Sequence, residues 1–347
     1  MPEIKAYTSL YMAIRVAING LGRIGRAFVR AAWGKGIELI AVNDLGSLES
    51  FAYLLKYDTV YGKAPFSVSV ENGALVIDGK RVQKLTEKDP ANLPWKDLEV
   101  DIVVEATGVF NDYEKANAHI KAGAKRVVIT APVKKDSPLG ATVLMGLDEE
   151  KIKTCRITSN ASCTTNAASS VIAILDEAIG VEKAVLSTTH AYTASQALVD
   201  GPSKKDLREG RAAAQNIVPS STGAAIAVTK AYPSLAGKFD GISLRVPVSV
   251  GSIADITFIA KRSTTTEEVN DILRKAAKEP RWEGIFTVTE EPLVSSDIIG
   301  EPYGAIADLQ MTRVVDGTLV KVLSWYDNEM GYAVTLVKHV LEAGKYI

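Results

Sequence analysis

Residues 20–25 read Gly-Leu-Gly-Arg-Ile-Gly, which places three glycines in the spacing G-x-G-x-x-G. An apolar, β-rich run from Ala13 to Asn19 precedes them, and a helical stretch from Arg26 to Trp33 follows. In this setting glycines permit a tight turn and the close approach of a pyrophosphate, which the N–H groups at the helix N-terminus bind. The stretch predicts the first strand–turn–helix unit of a dinucleotide-binding sheet.

A second apolar strand, Glu38 to Val42, ends at Asn43 and Asp44, and Asp44 lies about 20 residues beyond the glycines. An acid at this place accepts hydrogen bonds from the adenosine ribose hydroxyls and repels a 2′-phosphate. Glycines alone are also typical of plain turns, but the strand, the helix and Asp44 together favour dinucleotide binding. We expect NAD rather than NADP, although Gly46 and Ser47 are small enough to admit a 2′-phosphate.

Strands and helices continue to alternate through the first half of the chain. The predicted elements are a hairpin over 66–77, strands over 101–106 and 126–130, and a helix over 113–122. Such alternation is typical of an open, mostly parallel sheet that binds its ligand at the carboxyl ends of the strands. Thr107, Gly108 and Thr130 fall at such ends.

Beyond residue 180 the strands have longer connections and fewer crossover helices, which predicts an antiparallel-rich second domain. The predicted elements are strands over 184–189, 241–250, 253–260 and 318–326, and helices over 266–278 and 332–343. A long polar segment, 195–221, has little strand pattern, and a loop of this length inside a compact domain is usually functional. It carries Lys204, Lys205, Arg208 and Arg211.

Composition limits the classes of function. The 347 residues suggest about two domains. Lys plus Arg number 40 against 41 Asp plus Glu, which gives no support for a nucleic-acid surface, so local groups must bind any anion. Two cysteines without a CxxC pair favour a reducing, cytoplasmic compartment. No segment approaches the roughly 20 apolar residues that span a bilayer, no signal peptide is predicted, and residues 1–12 are expected to be a loosely ordered extension.

One of the two cysteines lies in a polar octapeptide, Ser-Asn-Ala-Ser-Cys-Thr-Thr-Asn over 159–166, and a helix is predicted from Ala167 to Ile179. A thiol at a helix start meets the positive end of the macrodipole and unpaired N–H groups, which lower its pKa and favour the thiolate. The alternative is that the neighbouring hydroxyls only cap the helix and Cys163 is a small buried hydrophobe. The octapeptide alone leaves both interpretations open.

A thiolate nucleophile needs a group that takes its proton, most often a histidine. The chain has three histidines. His119 and His339 are expected on polar helix faces, His339 exposed to solvent. His190 follows a strand into a polar turn, where a single histidine is more often structural than catalytic. Because Cys163 has the sequence features of an activated thiol, we favour a catalytic role for His190 and take it as the candidate base.

These motifs together resemble those of the phosphorylating glyceraldehyde-3-phosphate dehydrogenases, over nearly everything from about Ile14 to the C-terminus. The stretches that carry the resemblance are INGLGRIGR at 18–26, VNDL at 42–45, LLKYD at 54–58, EATGVF at 105–110, SNASCTTN at 159–166, THAYT at 189–193, PSSTGAA at 219–225, RVP at 245–247 and SWYDNEMGY at 324–332. The resemblance implies an α/β protein with a Rossmann-type NAD-binding domain over 1–162, to which a closing helix at 331–347 returns. An α+β catalytic domain with a mostly antiparallel sheet is expected over 163–330.

The resemblance also implies a reaction. Cys163 attacks the aldehyde of glyceraldehyde 3-phosphate to form a thiohemiacetal, His190 accepts the hydroxyl proton as hydride passes to NAD, and inorganic phosphate cleaves the acyl thioester to give 1,3-bisphosphoglycerate. A homotetramer is implied, with the loop at 195–218 between subunits. Erythrose-4-phosphate dehydrogenase, which deacylates with water, is the alternative within these motifs. A thiol hydrolase and a non-catalytic binding protein are alternatives from other classes.

Binding residues follow from the same resemblance, and no metal ligand is among them. NAD is expected to contact the glycine turn, the neighbouring strand ends and a late asparagine: Asn19, Gly20, Gly22, Arg23, Ile24, Asp44, Thr107, Gly108, Thr130 and Asn328. The substrate phosphate is assigned to Thr193 and Arg245. The attacking phosphate is assigned to Ser162, Thr164, Thr222 and Gly223, with Arg208 nearby.

The chain departs from the usual family pattern in two places within the second half. Val248, Ser249 and Val250 follow Pro247, where the family usually continues Thr-Pro-Asn. Glu209 stands where many bacterial members have a second arginine.

Overall fold

The computed structural model of the chain describes residues 13–203 and 206–347. The extension predicted over residues 1–12, and the loop lysines Lys204 and Lys205, lie outside the described residues. The first half contains β1 (Ile14–Asn19), α1 (Arg23–Ala32), β2 (Ile37–Asn43), α2 (Leu48–Lys56), β3 (Tyr57–Asp58), β4 (Gly62–Lys63), β5 (Val68–Glu71), β6 (Ala74–Ile77), β7 (Lys80–Leu85), β8 (Ile102–Glu105), α3 (Tyr113–Lys121), β9 (Arg126–Ile129), β10 (Gly140–Thr142), α4 (Glu150–Thr154) and β11 (Ile157–Ser159). The second half contains α5 (Cys163–Ile179), β12 (Val181–Ala191), β13 (Val218–Ser221), α6 (Ala224–Ala231), β14 (Phe239–Val246), β15 (Ser252–Ala260), α7 (Thr266–Ala276), β16 (Phe286–Thr289), β17 (Ala305–Val315), β18 (Leu319–Tyr326) and α8 (Met330–Gly344).

The first half folds around a nine-stranded sheet in the order β10-β11-β9-β8-β1-β2-β7-β6-β5. Neighbours from β10 to β7 are parallel, and the hairpin strands β5 and β6 complete the edge with antiparallel pairs. β1, β8 and β9 are apolar runs with little or no exposed surface, as parallel strands covered on both faces require. The chain order reverses between β1 and β8, and an open α/β sheet binds its ligand at this switch point.

The second half folds around a seven-stranded sheet in the order β13-β14-β12-β15-β18-β17-β16. Four of its six neighbouring pairs are antiparallel, which confirms the predicted mostly antiparallel sheet. α5 lies against this sheet and is buried along almost its whole length. The elements that were not predicted include α2, α6, β16 and β17. The first three are short and carry a weak periodic signal, and β17, although 11 residues long, has an irregular register between Asp308 and Arg313.

α8 packs on α1, and its last glycine approaches β1: a Cβ on Gly344 would meet Cδ1 of Ile14 at 2.1 Å. The expectation that His339 is exposed on this helix is wrong. His339 is fully buried, and its ring nitrogens contact Thr158 Oγ1 at 2.8 Å and Asn160 Oδ1 at 3.2 Å. The polar residues beside it along the helix gave the misleading pattern. Among the described residues, no helix has the length and apolar character needed to cross a membrane.

An ion cluster joins the start of α1 to the segment just before α8. Arg23 donates from Nε to Glu329 at 2.8 Å, pairs with the same carboxylate through Nη2, and reaches Asp58 through Nη1. Hydrogen bonding to Glu329 raises the pKa of Arg23 above its ordinary value. The cluster ties the glycine turn to the far end of the chain.

The glycine turn offers a matched pair of substitutions. A Cβ on Gly25 would lie 2.2 Å from the carbonyl oxygen of Gly20, whereas a Cβ on Gly22 would meet nothing within 4 Å. Gly25→Ala should therefore lower the free energy of unfolding by about 1–3 kcal/mol through overpacking, and Gly22→Ala should leave it nearly unchanged. Urea denaturation of both variants checks this, and equal losses would contradict it.

Buried His339 predicts a component of acid sensitivity. Burial lowers the pKa of His339 to about 3, whereas an unfolded histidine titrates near 6.5. The unfolded chain binds a proton at His339 that the folded chain does not bind. The contribution of this histidine to the free energy of unfolding therefore falls by about 1.4 kcal/mol per pH unit as the pH drops from about 6.5 towards 3. His339→Gln should show a shallower decline in the free energy of unfolding between about pH 6 and pH 4.5. Parallel slopes for the two proteins would rule this out.

Candidate active site

The glycine turn at the end of β1 packs against the turn that follows β8. Gly20 has a φ of 99°, and a Cβ there would lie 2.7 Å from the backbone nitrogen of Thr107. Only glycine fits so close an approach. Gly22 caps α1 and faces open space on the crevice side, and Ile24 lies within the first turn of the helix. These features fit a pyrophosphate over the helix N-terminus.

Asp44 follows β2 and lies beside the glycine turn, as its predicted role requires. Its Oδ2 accepts the N–H of Leu21 at 2.8 Å, and its Oδ1 accepts the N–H of Gly46 at 3.1 Å. The carboxylate is half-buried, so its remaining lone pairs are available for the ribose hydroxyls. Lys84 donates to the backbone oxygen of Asp44 and stands close to the same pocket.

The turns after β8 and β9 complete the carboxyl edge of the sheet. Thr107 is exposed, and Gly108 beside it has a φ of 71° with open space where a Cβ would stand. Thr130 is half-buried and donates its N–H to the carbonyl of Glu105 at 3.0 Å. All three line the crevice edge where the sequence places them.

Asn19 differs from its neighbours because its side chain is not free for a ligand. It is 2% exposed, donates from Nδ2 to Glu105 at 2.6 Å and accepts from Asn43 at 2.7 Å. The expectation of a polar face for His119 is also wrong, since that ring is fully buried against Glu105. These polar groups form a network beneath the cofactor turns rather than part of the binding surface.

Cys163 is the first residue of α5, and the turn before it is tightly held. Ala161, with a φ of 53°, is a non-glycine residue in the left-handed region. Its N–H donates to Ser159 Oγ at 3.0 Å, and its carbonyl accepts from Tyr332 Oη at 3.0 Å. Ser162 caps α5 by accepting the N–H of Thr165 at 3.1 Å. Cys163 therefore starts the helix four residues after the end of β11 in the first sheet.

The predicted catalytic pair is brought together. Sγ of Cys163 lies 3.4 Å from Nε2 of His190. Nδ1 of His190 lies 2.6 Å from the carbonyl oxygen of Ala191, which can only accept, and 2.5 Å from Nη1 of Arg245, which can only donate. In the tautomer whose Nδ1 donates to Ala191, Nε2 presents its lone pair to the thiol. Nε of Arg245 is buried without a hydrogen-bond partner.

Burial controls the titration of this pair. It raises the pKa of the Cys163 thiol, although Arg245 and the N–H of Thr164 oppose the rise. The N–H groups of the helix terminus lower this pKa as expected, but the expected net result, a lowered pKa, is wrong because desolvation outweighs the local donors. Burial and the charge of Arg245 lower the pKa of His190 to about 3. The imidazole is therefore uncharged at neutral pH.

The residues predicted to bind anions differ in whether their side chains already have partners within the protein. Thr193 lies two residues beyond β12, and Thr222 and Gly223 precede α6, which packs on α5. By contrast, the hydroxyl of Thr164 is turned away, 2.9 Å from Tyr326 Oη in the core. Arg208 is exposed and paired with Asp206 at 2.7 Å, and Glu209 accepts from Ser220 at 3.2 Å.

Asn328 lies between the end of β18 and the start of α8 and is oriented through one end of its amide. Its Oδ1 accepts the N–H of Gly251 at 3.2 Å and the hydroxyl of Ser252 at 3.0 Å. The Nδ2 donor lies at the opposite end of the amide. Asp327 beside it is fully buried and accepts from Tyr61 Oη at 2.8 Å and from the N–H of Glu329 at 2.9 Å.

Comparisons with known proteins agree with this geometry. The family model for glyceraldehyde 3-phosphate dehydrogenase, NAD binding domain, matches residues 14–113, and the C-terminal domain model of the same enzyme matches residues 162–328. The glyceraldehyde-3-phosphate dehydrogenases 2 and 1 of Streptomyces avermitilis are 45% identical over 340 residues and 47% identical over 337 residues. These alignments cover 97% and 96% of this chain, and 100% and 99% of the two relatives. The enzyme of Zymomonas mobilis is 44% identical over 96% of this chain and 99% of its own length.

This chain belongs to the glyceraldehyde-3-phosphate dehydrogenase family. The membership confirms the predicted fold class and the expectation of NAD as the cofactor of an NAD-dependent dehydrogenase.

Several residues of this site were missed from the sequence. Glu105 and Asp327 are buried acids that hydrogen-bond donors surround, and Tyr326 bridges Thr164 and Thr188 through its hydroxyl. For Glu105, the sequence signal was an acidic residue at the end of a buried strand. The other two depend on contacts across the fold.

His190→Asn tests the proton acceptor in the ligand-free protein. Without the imidazole, Cys163 titrates alone with its raised pKa, so iodoacetamide alkylation near pH 7 should slow by about tenfold or more. The rates of the two proteins should converge at strongly alkaline pH, where the thiolate forms unaided. A Cys155→Ser background leaves one reactive thiol, and equal rates near neutral pH would exclude His190 as the acceptor.

Proposed function

We propose that this chain catalyses the NAD-dependent oxidative phosphorylation of glyceraldehyde 3-phosphate to 1,3-bisphosphoglycerate. The observation that carries the proposal is the 3.4 Å approach of Cys163 Sγ to His190 Nε2 at the start of α5. The family membership supports oxidation of this aldehyde with NAD and does not favour the erythrose-4-phosphate alternative.

The chemistry begins with the thiol. Nε2 of His190 takes the proton from Cys163, and Sγ forms a bond with the aldehyde carbon. The resulting alkoxide takes the proton back from His190 to give the thiohemiacetal. The charge of Arg245 helps the thiolate to form, since it lowers the pKa that burial raises.

Oxidation leaves an acyl group on the sulfur. Bound NAD supplies the hydride acceptor, and His190 removes the hydroxyl proton, so the thiohemiacetal becomes a thioester. A phosphate oxygen then attacks the carbonyl carbon, the C–S bond breaks and the thiolate leaves. The thioester conserves the energy of oxidation, which direct hydrolysis would lose.

NAD fits the carboxyl edge of the first sheet. The cradle at Gly20 and Gly22 suits the pyrophosphate, Asp44 the ribose and Nδ2 of Asn328 the nicotinamide amide. The remaining residues proposed for the cofactor are Arg23, Ile24, Thr107, Gly108 and Thr130 as direct contacts, with Asn19 acting through the turn that it supports.

Two anion sites serve the phosphates. Arg245 and Thr193 bind the substrate phosphate, and the buried, unpartnered Nε of Arg245 supports this assignment. Ser162, Thr222 and Gly223 bind the attacking phosphate, with Thr164 contributing its N–H rather than its hydroxyl. Arg208 reaches that site only after it releases Asp206.

We further propose the arrangement of the chain and its assembly. An NAD-binding domain spans 1–162 and includes the closing helix at 331–347, and a catalytic domain spans 163–330. The chain is proposed to form a homotetramer in the cytoplasm. The loop at 195–218 supports the assembly, because its Leu198 and Leu207 are 83% and 85% exposed and available for a second copy to cover. The free thiols of Cys155 and Cys163 fit a reducing compartment.

NADH formation from glyceraldehyde 3-phosphate and NAD tests the reaction. The rate should depend strongly on inorganic phosphate, because the thioester needs that nucleophile. Cys163→Ser should lower kcat by about 10⁴-fold or more, since the oxygen is a far weaker nucleophile.

The control in this assay is Cys155→Ser, which removes the other thiol and should keep wild-type turnover. Turnover that ignores phosphate would overturn the phosphorylating step and favour hydrolytic deacylation. Full activity in Cys163→Ser would overturn the covalent mechanism.

A further inference from the structure

Glu105 occupies a buried position where four donors converge. Its Oε2 accepts from Asn19 Nδ2 at 2.6 Å and from His119 Nε2 at 3.0 Å. Its Oε1 accepts the N–H of Thr107 at 2.9 Å and also the hydroxyl of that threonine. Glu105 is 2% exposed, so these groups replace the water that a carboxylate would otherwise hold.

The identity of the His119 donor follows from its second partner. Nε1 of Trp95, which can only donate, lies 2.9 Å from Nδ1 of His119. Nδ1 therefore accepts, and Nε2 carries the hydrogen that is donated to Glu105. Because both rings are fully buried, the histidine is locked in this orientation behind the carboxylate.

The network crosses three neighbouring parallel strands at their carboxyl ends. Asn43 ends β2, Asn19 ends β1 and Glu105 ends β8, and their side chains are linked in that order. Backbone bonds follow the same path, from Gly20 N to Asn43 O at 2.8 Å and from Ala106 N to Asn19 O at 2.7 Å. Both turns that rise from this row, at Gly20 and at Thr107, face the proposed pyrophosphate site.

We propose that Glu105 is a positioning residue for NAD, and that it fixes the glycine turn and the Thr107 turn relative to each other through one buried carboxylate. The inference rests on the proposed NAD site and adds to it a residue that never touches the cofactor. A negative charge beneath the turns cannot attract a pyrophosphate, so its contribution comes through geometry. Each oxygen holds one turn: Oε2 through Asn19 and Oε1 through Thr107.

Glu105→Gln changes the hydrogen bonding of this side chain without changing its size. The amide matches the carboxylate in size but presents an NH₂ group to two of the four donors, so one turn loses its anchor. The Kd for NAD, titrated by calorimetry, should rise about tenfold, which is the loss expected for one or two hydrogen bonds to a charged group. The KM values for glyceraldehyde 3-phosphate and phosphate should stay within about twofold of wild type.

Asp308→Asn is the matched control. Asp308, like Glu105, is a buried acid, but it lies on β17 in the second sheet and accepts from Nε1 of Trp325 at 3.1 Å. Both variants should lose stability, and only Glu105→Gln should lose affinity for NAD. Wild-type NAD affinity in Glu105→Gln, or an equal loss in Asp308→Asn, would overturn the proposal and leave Glu105 a stabilising residue.

Trp95→Phe is the second variant, which decides the matter should Glu105→Gln fail to fold. It removes the N–H that orients His119, together with part of a fully buried ring, and leaves the Glu105 carboxylate in place. The Kd for NAD should rise by about two- to threefold, and an unchanged Kd overturns the proposal. Alkylation of Cys163 in NAD-free protein should match wild type in every variant. The alkylation rate separates failure of this proposal from failure of the proposed function, because the latter would appear as absent turnover in the wild-type enzyme.

Discussion

The turn at Ala161 is the constraint on which the site depends. It carries the chain from β11 in the first sheet to α5 against the second sheet, and its left-handed residue permits so sharp a change of direction. A non-glycine residue in this region costs of order 1–3 kcal/mol and persists only where its surroundings hold it. Here Ser159 holds its N–H and Tyr332 its carbonyl. The sulfur of Cys163 is thereby placed at the boundary between the cofactor sheet and the sheet that carries His190.

The electrostatics of the site follow from that location. At the boundary both groups of the proposed catalytic pair lose water, which disfavours the thiolate and the imidazolium separately. Transfer of one proton between them changes no net charge. Arg245 lies beside the imidazole and favours the thiolate form, so its position bears on the proposed thiol chemistry as well as on the proposed binding of the substrate phosphate.

The sequence predicted best where local pattern and chemistry coincide. The glycine turn, Asp44 and the helix start at Cys163 are contiguous signals, and the structure has them where they were expected. His119 and His339 were misjudged because helix neighbours describe only one face, while burial depends on strands and turns distant in the chain. The turned-away hydroxyl of Thr164 and the commitment of Asn19 to Glu105 are likewise tertiary facts. The periodicity of a sequence does not indicate which of two possible hydrogen-bond partners a polar side chain has.

The ion cluster of Arg23 with Glu329 has a consequence for biogenesis. Its members are 306 residues apart, and Asn328 stands next to Glu329. A chain emerging from the ribosome can form β1 and α1 early, but the two sides of the proposed cofactor site coexist only after Glu329 has been made. Until then Arg23 has Asp58 as its ion partner, and the site lacks Asn328. Any intermediate that binds the dinucleotide before that point does so without the contact proposed for Asn328.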